Sequence, residues 1–536
     1  MRTTAWIVPA LCACLLGSCH LDRAAPEGLA KTQSVTQATA VLWNRSSVQE
    51  VYNPSGNRYA YAPSVIVDSN TEHIWTCHNK DDGVIKDFIY YTKRVNGAVV
   101  SSSVALQASA SGWDSFHVCD TSVVKSTVAY SGTTYNYVMF YLANDQNCSC
   151  HNLVGVALAQ NIEGPWTKFP NPLFTYADYN NTSYWGIGWH SATSIDGNGR
   201  FALFYRQSDS AGYQMLMREV NLSALPTITL GAVRSLPTAG LDTDGLNDSV
   251  VGKAYLNFDV AYDPTRARFF AIGEKENYPT SDPSYIASTL SAFSIDDASV
   301  WNGGGSWRYE GRISRALTGF ARNHNAAVKR GPYGTLPNPN AFDVIFTKAC
   351  AAETGYTCSG DSLWSYDLWE VKGQLANKSV IASRDFTSSQ GGNDWKYEYT
   401  DGSAYTAMTW DTTNARWAGP GVNLLVMRGT QHPGDTADSS RTWVSPITGT
   451  VTLSATDAAI SVATGANADG VRVKIMKNGA QVWPASGWQS IAAGGSAPFP
   501  SISLSVTGGD AIRFIVNRNA NTWYDTTIWN PIITLP

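Results

Sequence analysis

The chain has 536 residues, of which 15% are charged and 12% aromatic, and its net charge at pH 7 is -5. No basic run accompanies this balance, which argues against nucleic acid as a partner. No apolar stretch of about 18 residues is present that would span a membrane. The length allows more than one domain and a large buried core.

The N-terminal residues 1–19 are predicted to be a lipoprotein-type signal peptide. Arg2 provides a positive start, and Ala5–Leu16 is mostly apolar. Leu16-Gly17-Ser18-Cys19 resembles a bacterial lipobox, in which Cys19 is lipidated; an ordinary signal peptide cut near Ala25 is the alternative. We therefore expect an exported protein: an outer-membrane or cell-surface lipoprotein, otherwise periplasmic or secreted, that meets the membrane only through a lipid anchor.

Six cysteines follow the signal segment, and an even number outside the cytosol suggests disulfides. Cys350 and Cys358 bracket a short loop and form the predicted pair. The other four could form two bridges, and the sequence does not fix how they pair: Cys77, Cys119, Cys148 and Cys150.

Residues 20–54 are predicted to be a linker and a lead-in strand, and residues 55–383 carry a repeated unit of short strands. Each unit opens on a strand with a polar residue near its start and closes on a tryptophan. The openings are Tyr61–Val67, Cys119–Val124, His190–Ile195, Phe258–Tyr262 and His324–Val328. Radial repetition of four-stranded sheets predicts a five-bladed β-propeller; a pair of β-sandwiches is the alternative.

Residues 384–536 show period-two alternation of apolar residues with regular turns, for example in Asp469–Pro484 and Ser501–Asn517. This pattern is typical of an antiparallel β-sandwich. The predicted fold class is therefore all-β, with a five-bladed β-propeller followed by a C-terminal antiparallel β-sandwich.

Five segments of the predicted propeller carry recognisable motifs: Tyr61–Trp75, Cys119–Val124, Val154–Phe169, Phe258–Ile272 and Arg322–Val328. These motifs resemble those of the five-bladed propeller glycoside hydrolases, the broad group of family 43 and its relatives acting on arabinans, xylans and fructans. The C-terminal part is similar to accessory β-sandwich modules of secreted glycosidases, which are presumed to bind carbohydrate.

The resemblance implies an enzyme, an exported glycoside hydrolase that cleaves a polysaccharide or oligosaccharide by a two-carboxylate acid/base mechanism. A pentose-containing glycan such as arabinan or xylan fits that family. A non-catalytic surface glycan-binding lipoprotein is the main alternative, and a transglycosylase on the same fold is a third. We expect a monomer with a carbohydrate as its partner.

Glycoside hydrolysis needs two carboxyl groups on either side of the scissile bond. The candidates are Asp120, Asp259 and Glu274. Asp120 occupies the place of the family's second-blade aspartate, which tunes the catalytic acid. The first-blade position of the family's base reads Ala62-Pro63 here, and the third-blade position of its acid reads Gly188–Ser191. A base relocated to Asp81 or Asp82 stays open.

Other polar and aromatic residues at the blade openings are candidates for binding sugar. No metal ligands and no cofactor are predicted, although a structural ion in the central channel stays possible. The binding candidates are Tyr61, His78, His117, Trp189, His190, Arg322, Asn323, His324 and Asn325.

Overall fold

A computed structural model describes residues 38–54, 59–79, 86–148, 150–245, 255–275, 286–349 and 366–536. The predicted fold class is confirmed: five antiparallel units, four of them four-stranded and one with a fifth short strand, are followed by a group of antiparallel sheets. Among the helices of these residues, none is long and apolar enough to cross a membrane.

The first strand of the described residues is β1 (Thr39–Tyr52), and three blades follow it along the chain. Blade one contains β2 (Ala60–Asp68), β3 (Thr71–His78), β4 (Phe88–Val95) and β5 (Ala98–Leu106). Blade two contains β6 (His117–Tyr130), β7 (Thr133–Asn144), β8 (Leu153–Ala159) and β9 (Thr167–Lys168). Blade three contains β10 (Gly186–Ser194), β11 (Arg200–Asp209), β12 (Gly212–Ala224), β13 (Thr227–Leu230) and β14 (Arg234–Ser235).

A short 3-10 helix, Leu241–Asp244, precedes blade four. Blade four contains β15 (Tyr255–Asp263), β16 (Arg268–Lys275), β17 (Leu290–Asp296) and β18 (Arg308–Ile313), with the short helices α1 (Asp297–Asn302) and α2 (Arg315–Thr318) beside it. Blade five contains β19 (Arg322–Val328), β20 (Val344–Ala349) and β21 (Tyr366–Asn377), with β1 as its outermost strand.

The inner strands contact one another in the cyclic order β2, β6, β10, β15 and β19, and β19 returns to β2. Strand β1 completes blade five as its outermost strand, at the edge farthest from the inner strand β19. It pairs antiparallel with β21, and Thr39 lies opposite Asn377. The lead-in strand is thus part of the propeller, because it covers an edge of β21 that would otherwise be open to other chains.

Every inner strand contains a bulge at the same place, and a non-glycine residue with positive φ lies in each bulge. A bulge bends the strand and re-aims a side chain, and positive φ strains a residue with a Cβ. The five positions therefore define one ring of inward-directed residues. They are Ala62 (φ 47), Asp120 (φ 35), Trp189 (φ 44), Asn257 (φ 40) and Asn325 (φ 38).

A second ring lies two residues further along each inner strand and surrounds Arg330. The Arg330 guanidinium, 1% exposed, donates to the hydroxyls of Ser64, Ser122 and Ser191 and lies 3.3 Å from Asp259 Oδ1. These partners come from four different blades, so Arg330 lies on the propeller axis. In blade five, the equivalent residue is Ala327.

The C-terminal unit begins at β22 (Ser379–Ile381) and packs a large apolar core around the buried Trp395, Trp443 and Trp529. Its strands form three antiparallel sheets, of four, seven and seven strands, and the four-stranded sheet contains β22. A 3-10 helix, Gly392–Asp394, precedes β23.

The strands of this unit are β23 (Trp395–Thr400), β24 (Tyr405–Ala407), β25 (Thr409–Asp411), β26 (Arg416–Ala418), β27 (Leu425–Val426), β28 (Thr430–His432), β29 (Asp438–Val444), β30 (Gly449–Ala455), β31 (Ala459–Val462), β32 (Val471–Lys477), β33 (Ala480–Trp483), β34 (Gln489–Ile491), β35 (Ser496–Pro498), β36 (Ile502–Val506), β37 (Ala511–Arg518), β38 (Thr527–Ile528) and β39 (Pro531–Thr534).

Buried polar contacts join the sandwich to the propeller. Arg312 of β18 forms a two-pronged ion pair with Asp457, with Nη2 2.6 Å from Oδ2 and Nε 2.8 Å from Oδ1. Arg384 donates to the carbonyl oxygen of Thr39 in β1, at 2.6 Å. The sandwich therefore rests against blades four and five, and the Arg312–Asp457 pair of this contact is buried.

Candidate active site

The bulge ring lines a small concavity. Asp120 and Asp259 are the carboxylates among its lining residues, and Trp189 and Phe258 are the aromatic residues. The remaining lining residues are Ala62, Pro63, Thr121, His190, Asn257, Asn325 and Ala326. Ligand sites commonly combine apolar and aromatic walls with a few placed polar groups, and this lining does so.

Asp120 is the acid of the concavity with a strongly shifted pKa. It is 7% exposed, and its Oδ1 lies 3.4 Å from Cys119 Sγ, which is bonded to Cys77 in a disulfide that joins blades one and two. Burial raises the pKa of Asp120 to about 7, the Trp189 backbone N–H opposes that rise, and the negative charges of Asp87 and Glu274 add to it. Near pH 7, this group can therefore both donate and accept a proton.

A tyrosine pair fixes the carboxylate of Asp87 beside Asp120. Tyr59 and Tyr61 each donate a hydroxyl to Asp87 at 2.6 Å, and His117 Nε2 lies 3.6 Å from the same carboxylate. Burial, followed by the charge of Asp87, holds the pKa of Tyr61 well above its usual value, so its hydroxyl stays protonated. Asp87 is a residue that sequence reasoning missed, because it lies in a polar loop without a motif.

Glu274 lies at the other side of the ring, completely buried. Its Oε1 accepts the Asn325 backbone N–H at 2.7 Å and lies 2.6 Å from His324 Nδ1, and its Oε2 accepts the side-chain amide of Asn257 at 2.7 Å. The structure thus brings together Glu274, His324 and Asn325, as the clustering of polar residues at the blade openings suggested. Both oxygens are engaged within the protein.

Asp259 lines the concavity but belongs to the second ring, two residues beyond the bulge. Its Oδ1 accepts the Ser191 hydroxyl at 2.7 Å, and its Oδ2 accepts the Val328 N–H at 2.9 Å. With Arg330 3.3 Å from Oδ1, its charge is compensated on the axis. The Arg330 guanidinium occupies the channel position considered for an ion.

Trp189 begins an aromatic ridge on blade three. Its ring stacks on Trp185 with centroids 4.3 Å apart, and the Arg206 guanidinium lies 4.1 Å from Trp189 and 3.9 Å from the ring of Tyr213. Stacking and cation–π contacts hold these planes in place. Beside them, burial lowers the pKa of His190 to about 4, so its imidazole is neutral at pH 7.

Six of the nine predicted binding residues do not line the concavity. Tyr61 and His117 contact Asp87, and His324 contacts Glu274. The other three are His78, Arg322 and Asn323. His78 is 1% exposed and its ring lies 4.6 Å from that of Tyr90. Arg322 and Asn323 are both fully buried, and they donate to the carbonyl oxygens of Ile286 and Ser288 at 2.7 and 2.9 Å. These contacts belong to a buried hydrogen-bond network that does not line the concavity.

The cysteine pairing left open by the sequence is Cys77 with Cys119 and Cys148 with Cys150. Cys19, the predicted Cys350–Cys358 pair, and Asp81 and Asp82 lie outside the described residues. A signal for the bulge ring exists in the sequence: Ser64, Ser122 and Ser191 each follow their bulge residue by two positions.

No protein-family model matches the sequence, and no curated protein matches it. The solved structures found to be similar include glycoside hydrolases of families 43, 62 and 117. The catalytic domain of the Coprinopsis cinerea GH62 alpha-L-arabinofuranosidase is 13% identical, with a TM-score of 0.41 over 62% of this chain and 97% of that chain.

Two further structures cover different shares of the chain. A family 117 glycoside hydrolase from Zobellia galactanivorans is 10% identical, with a TM-score of 0.40 over 63% of this chain and 90% of its own. An exo-beta-1,3-galactanase from Phanerochaete chrysosporium, solved with beta-1,3-galactotriose, is 13% identical, with a TM-score of 0.38 over 92% of this chain and 100% of its own. Likeness at this identity concerns the fold alone.

Proposed function

We propose that the protein is a glycoside hydrolase and that Asp120 is its proton-transferring group. The observation that carries this proposal is the position of Asp120: a carboxyl group with a pKa of about 7, on the bulge ring, in a concavity walled by Trp189. A carboxyl group poised near neutral pH can protonate a leaving glycosidic oxygen.

The groups around Asp120 suit a sugar substrate. Trp189 places an aromatic ring at the concavity against which a pyranose or furanose can pack, and Asn257 and Asn325 add polar side chains to its lining. The fixed carboxylates of Asp87 and Glu274 place negative charge near Asp120, which stabilises positive charge developing at an anomeric carbon. Glu274 and Asp87 act here as positioning residues, since their oxygens are engaged by other side chains.

A glycan-binding propeller without catalysis is the second candidate, and one observation favours it. Ala62 and Trp189 occupy two bulge positions where the resemblance predicts a catalytic base and acid, and Asp259 is bonded to Ser191 and Arg330. Hydrolysis would require Asp259 or Glu274 to release one of its present partners and activate water, whereas binding requires no such change.

A turnover screen with the full chain separates these two candidates. Wild type and Asp120→Asn are incubated with arabinan, xylan, galactan and hexose polysaccharides, and reducing ends are measured. We expect release by wild type that falls by about 10² or more in the variant. The matched control is Asp242→Asn, an aspartate whose side chain is 60% exposed, and it should retain wild-type release.

The outcomes are distinct. Equal release by wild type and Asp120→Asn would overturn the role of Asp120. Retained binding of an oligosaccharide without release by any form would favour the glycan-binding propeller. Neither release nor binding across the panel would overturn the carbohydrate proposal.

We also propose that the protein is exported and anchored through a lipid on Cys19. Two disulfides among the described residues support an oxidising compartment. Expression of the full gene with a clickable fatty acid tests the anchor: wild type should be labelled and Cys19→Ser should not, whereas labelling of both would contradict it.

A further inference from the structure

We propose that one end of the C-terminal sandwich binds a divalent cation, with Ca²⁺ preferred, through the carboxylates of Asp469 and Asp525. This site is separate from the propeller funnel and independent of the function proposed for it.

Unpartnered buried oxygens mark the site. Asp525 is 0% exposed, and neither of its carboxylate oxygens has a hydrogen-bond partner among the described residues. Asp469 Oδ1 is likewise buried without a partner there, while its Oδ2 accepts the Ala520 N–H at 2.6 Å. Three buried acceptor atoms with no donor are costly unless a cation or protons compensate them.

Direct contacts hold the two aspartates' loops, 463–470 and 519–526, side by side. Besides the Ala520 contact, Asn521 donates its side-chain amide to the carbonyl oxygen of Asn467 at 3.2 Å, and the Ala463 N–H donates to Thr526 at 2.9 Å. A Cβ at Gly465 would meet the ring of Tyr524 at 2.4 Å, so the loops are in close packing.

No ion pair among the described residues compensates the two proposed ligands. The cation Arg518 lies 3.9 Å from a different acid, Asp435, whose side chain is 73% exposed. The buried oxygens of Asp469 and Asp525 have no donor of their own, and a bound divalent cation would compensate them.

The donor chemistry selects the ion. The two loops contain no histidine, cysteine or methionine, so they offer oxygen atoms only and favour hard cations over transition metals. Ca²⁺ accepts irregular sets of carboxylates, backbone carbonyls and waters, whereas Mg²⁺ demands near-octahedral geometry. Two loops that each contribute one aspartate fit the less demanding ion.

Binding here would fix the loop that presents two exposed rings. Trp523 and Tyr524 immediately precede Asp525 and are 57% and 48% exposed. An ion held by Asp525 therefore orders the base of the loop that carries these two exposed rings. A Tb³⁺ ion bound in its place would lie next to one indole and one phenol, both of which can sensitise its luminescence.

Thermal unfolding of the full chain, stripped with chelator and then supplied with Ca²⁺ or Mg²⁺, tests the site. We expect Ca²⁺ to raise the melting temperature by at least about 2 °C, and by more than Mg²⁺. Tb³⁺ should give sensitised luminescence that Ca²⁺ displaces. A larger shift with Mg²⁺ would overturn the preference for Ca²⁺, and no shift and no luminescence would overturn the site.

Variants separate a cation site from a merely structural aspartate. In Asp525→Asn the Ca²⁺ shift and the Tb³⁺ signal should be lost, whereas Asp401→Asn, an exposed aspartate in a turn of the same sandwich, should keep both. Without any cation, Asp525→Asn should be at least as stable as wild type, because a buried carboxylate without a hydrogen-bond partner is removed. Equal destabilisation of Asp525→Asn with and without Ca²⁺ would overturn the proposal.

Discussion

Asp120 combines two properties that are in conflict: it is buried, and it is an acid. Burial favours its protonated form, so its pKa of about 7 lies above the ordinary value of 3.8. The folded state therefore holds a proton that the unfolded state loses, and Asp120 reduces the stability of the fold progressively as the pH rises from about 4 to 7.

Asp120→Asn should accordingly be more stable than wild type at pH 8, by up to about 4 kcal/mol, and should lose that advantage at pH 4. Denaturant unfolding at the two pH values measures this difference. An aspartate retained despite such a cost is expected at a functional site. A variant less stable than wild type at pH 8 would show that Asp120 stabilises the funnel instead.

Trp189 offers a separate test at the level of one side chain. Trp189→Ala removes the stacking face of the concavity while leaving Asp120 in place, so affinity for an oligosaccharide should fall about tenfold. Calorimetric titration against a ligand found in the screen measures the loss. Unchanged affinity would place the sugar elsewhere.

At the level of elements, the position of a side chain along a bulged inner strand decides whether it lines the concavity or belongs to the ring around Arg330. Asp120 lies on the bulge ring and faces the concavity, whereas Asp259 lies on the second ring and compensates Arg330. The bulge position and the second-ring position are two residues apart along each inner strand. An alignment of the blades that is wrong by two residues would therefore confuse the acid that faces the concavity with the acid that pairs with Arg330.

Arg330 joins four blades, and this contact should be worth much more than a surface ion pair. Arg330→Met leaves Asp259 buried without its cation, which should cost about 3–5 kcal/mol in the free energy of unfolding. The matched control is Arg200→Met, which breaks the half-exposed pair of Arg200 with Glu219 and should cost less than about 1 kcal/mol. Similar costs for the two variants would contradict the axial role of Arg330.

The strand pattern made much of the fold predictable. The five openings, from Tyr61–Val67 to His324–Val328, lie in the inner strands, because apolar alternation bounded by turn residues survives in the sequence. Several contacts of the site were not predictable. Arg330 acts through partners on four other blades, and Asp87 is held by Tyr59 and Tyr61, which are 28 and 26 residues away in the sequence. Such long-range pairing leaves no local signature. The Cys77–Cys119 pair, 42 residues apart, was undetermined for the same reason.

At the scale of the whole molecule, the propeller and the sandwich are joined by buried charges. Arg312 is 2% and Asp457 4% exposed, and each has the other as a close ionic partner. Asp457→Asn should leave a buried arginine without its counter-charge and weaken the junction by about 3–5 kcal/mol. In calorimetry we expect the unfolding transition to separate into two; one unchanged transition would contradict this coupling.

The central claim is that Asp120 transfers a proton to a glycoside, and the pH dependence of turnover tests it most directly. With the best substrate of the screen, kcat/KM of wild type should fall above about pH 7, where Asp120 loses its proton. Asp120→Asn should show turnover lower by about 10² and no ionisation in that range. Wild-type turnover and an unchanged pH profile in Asp120→Asn would contradict the account.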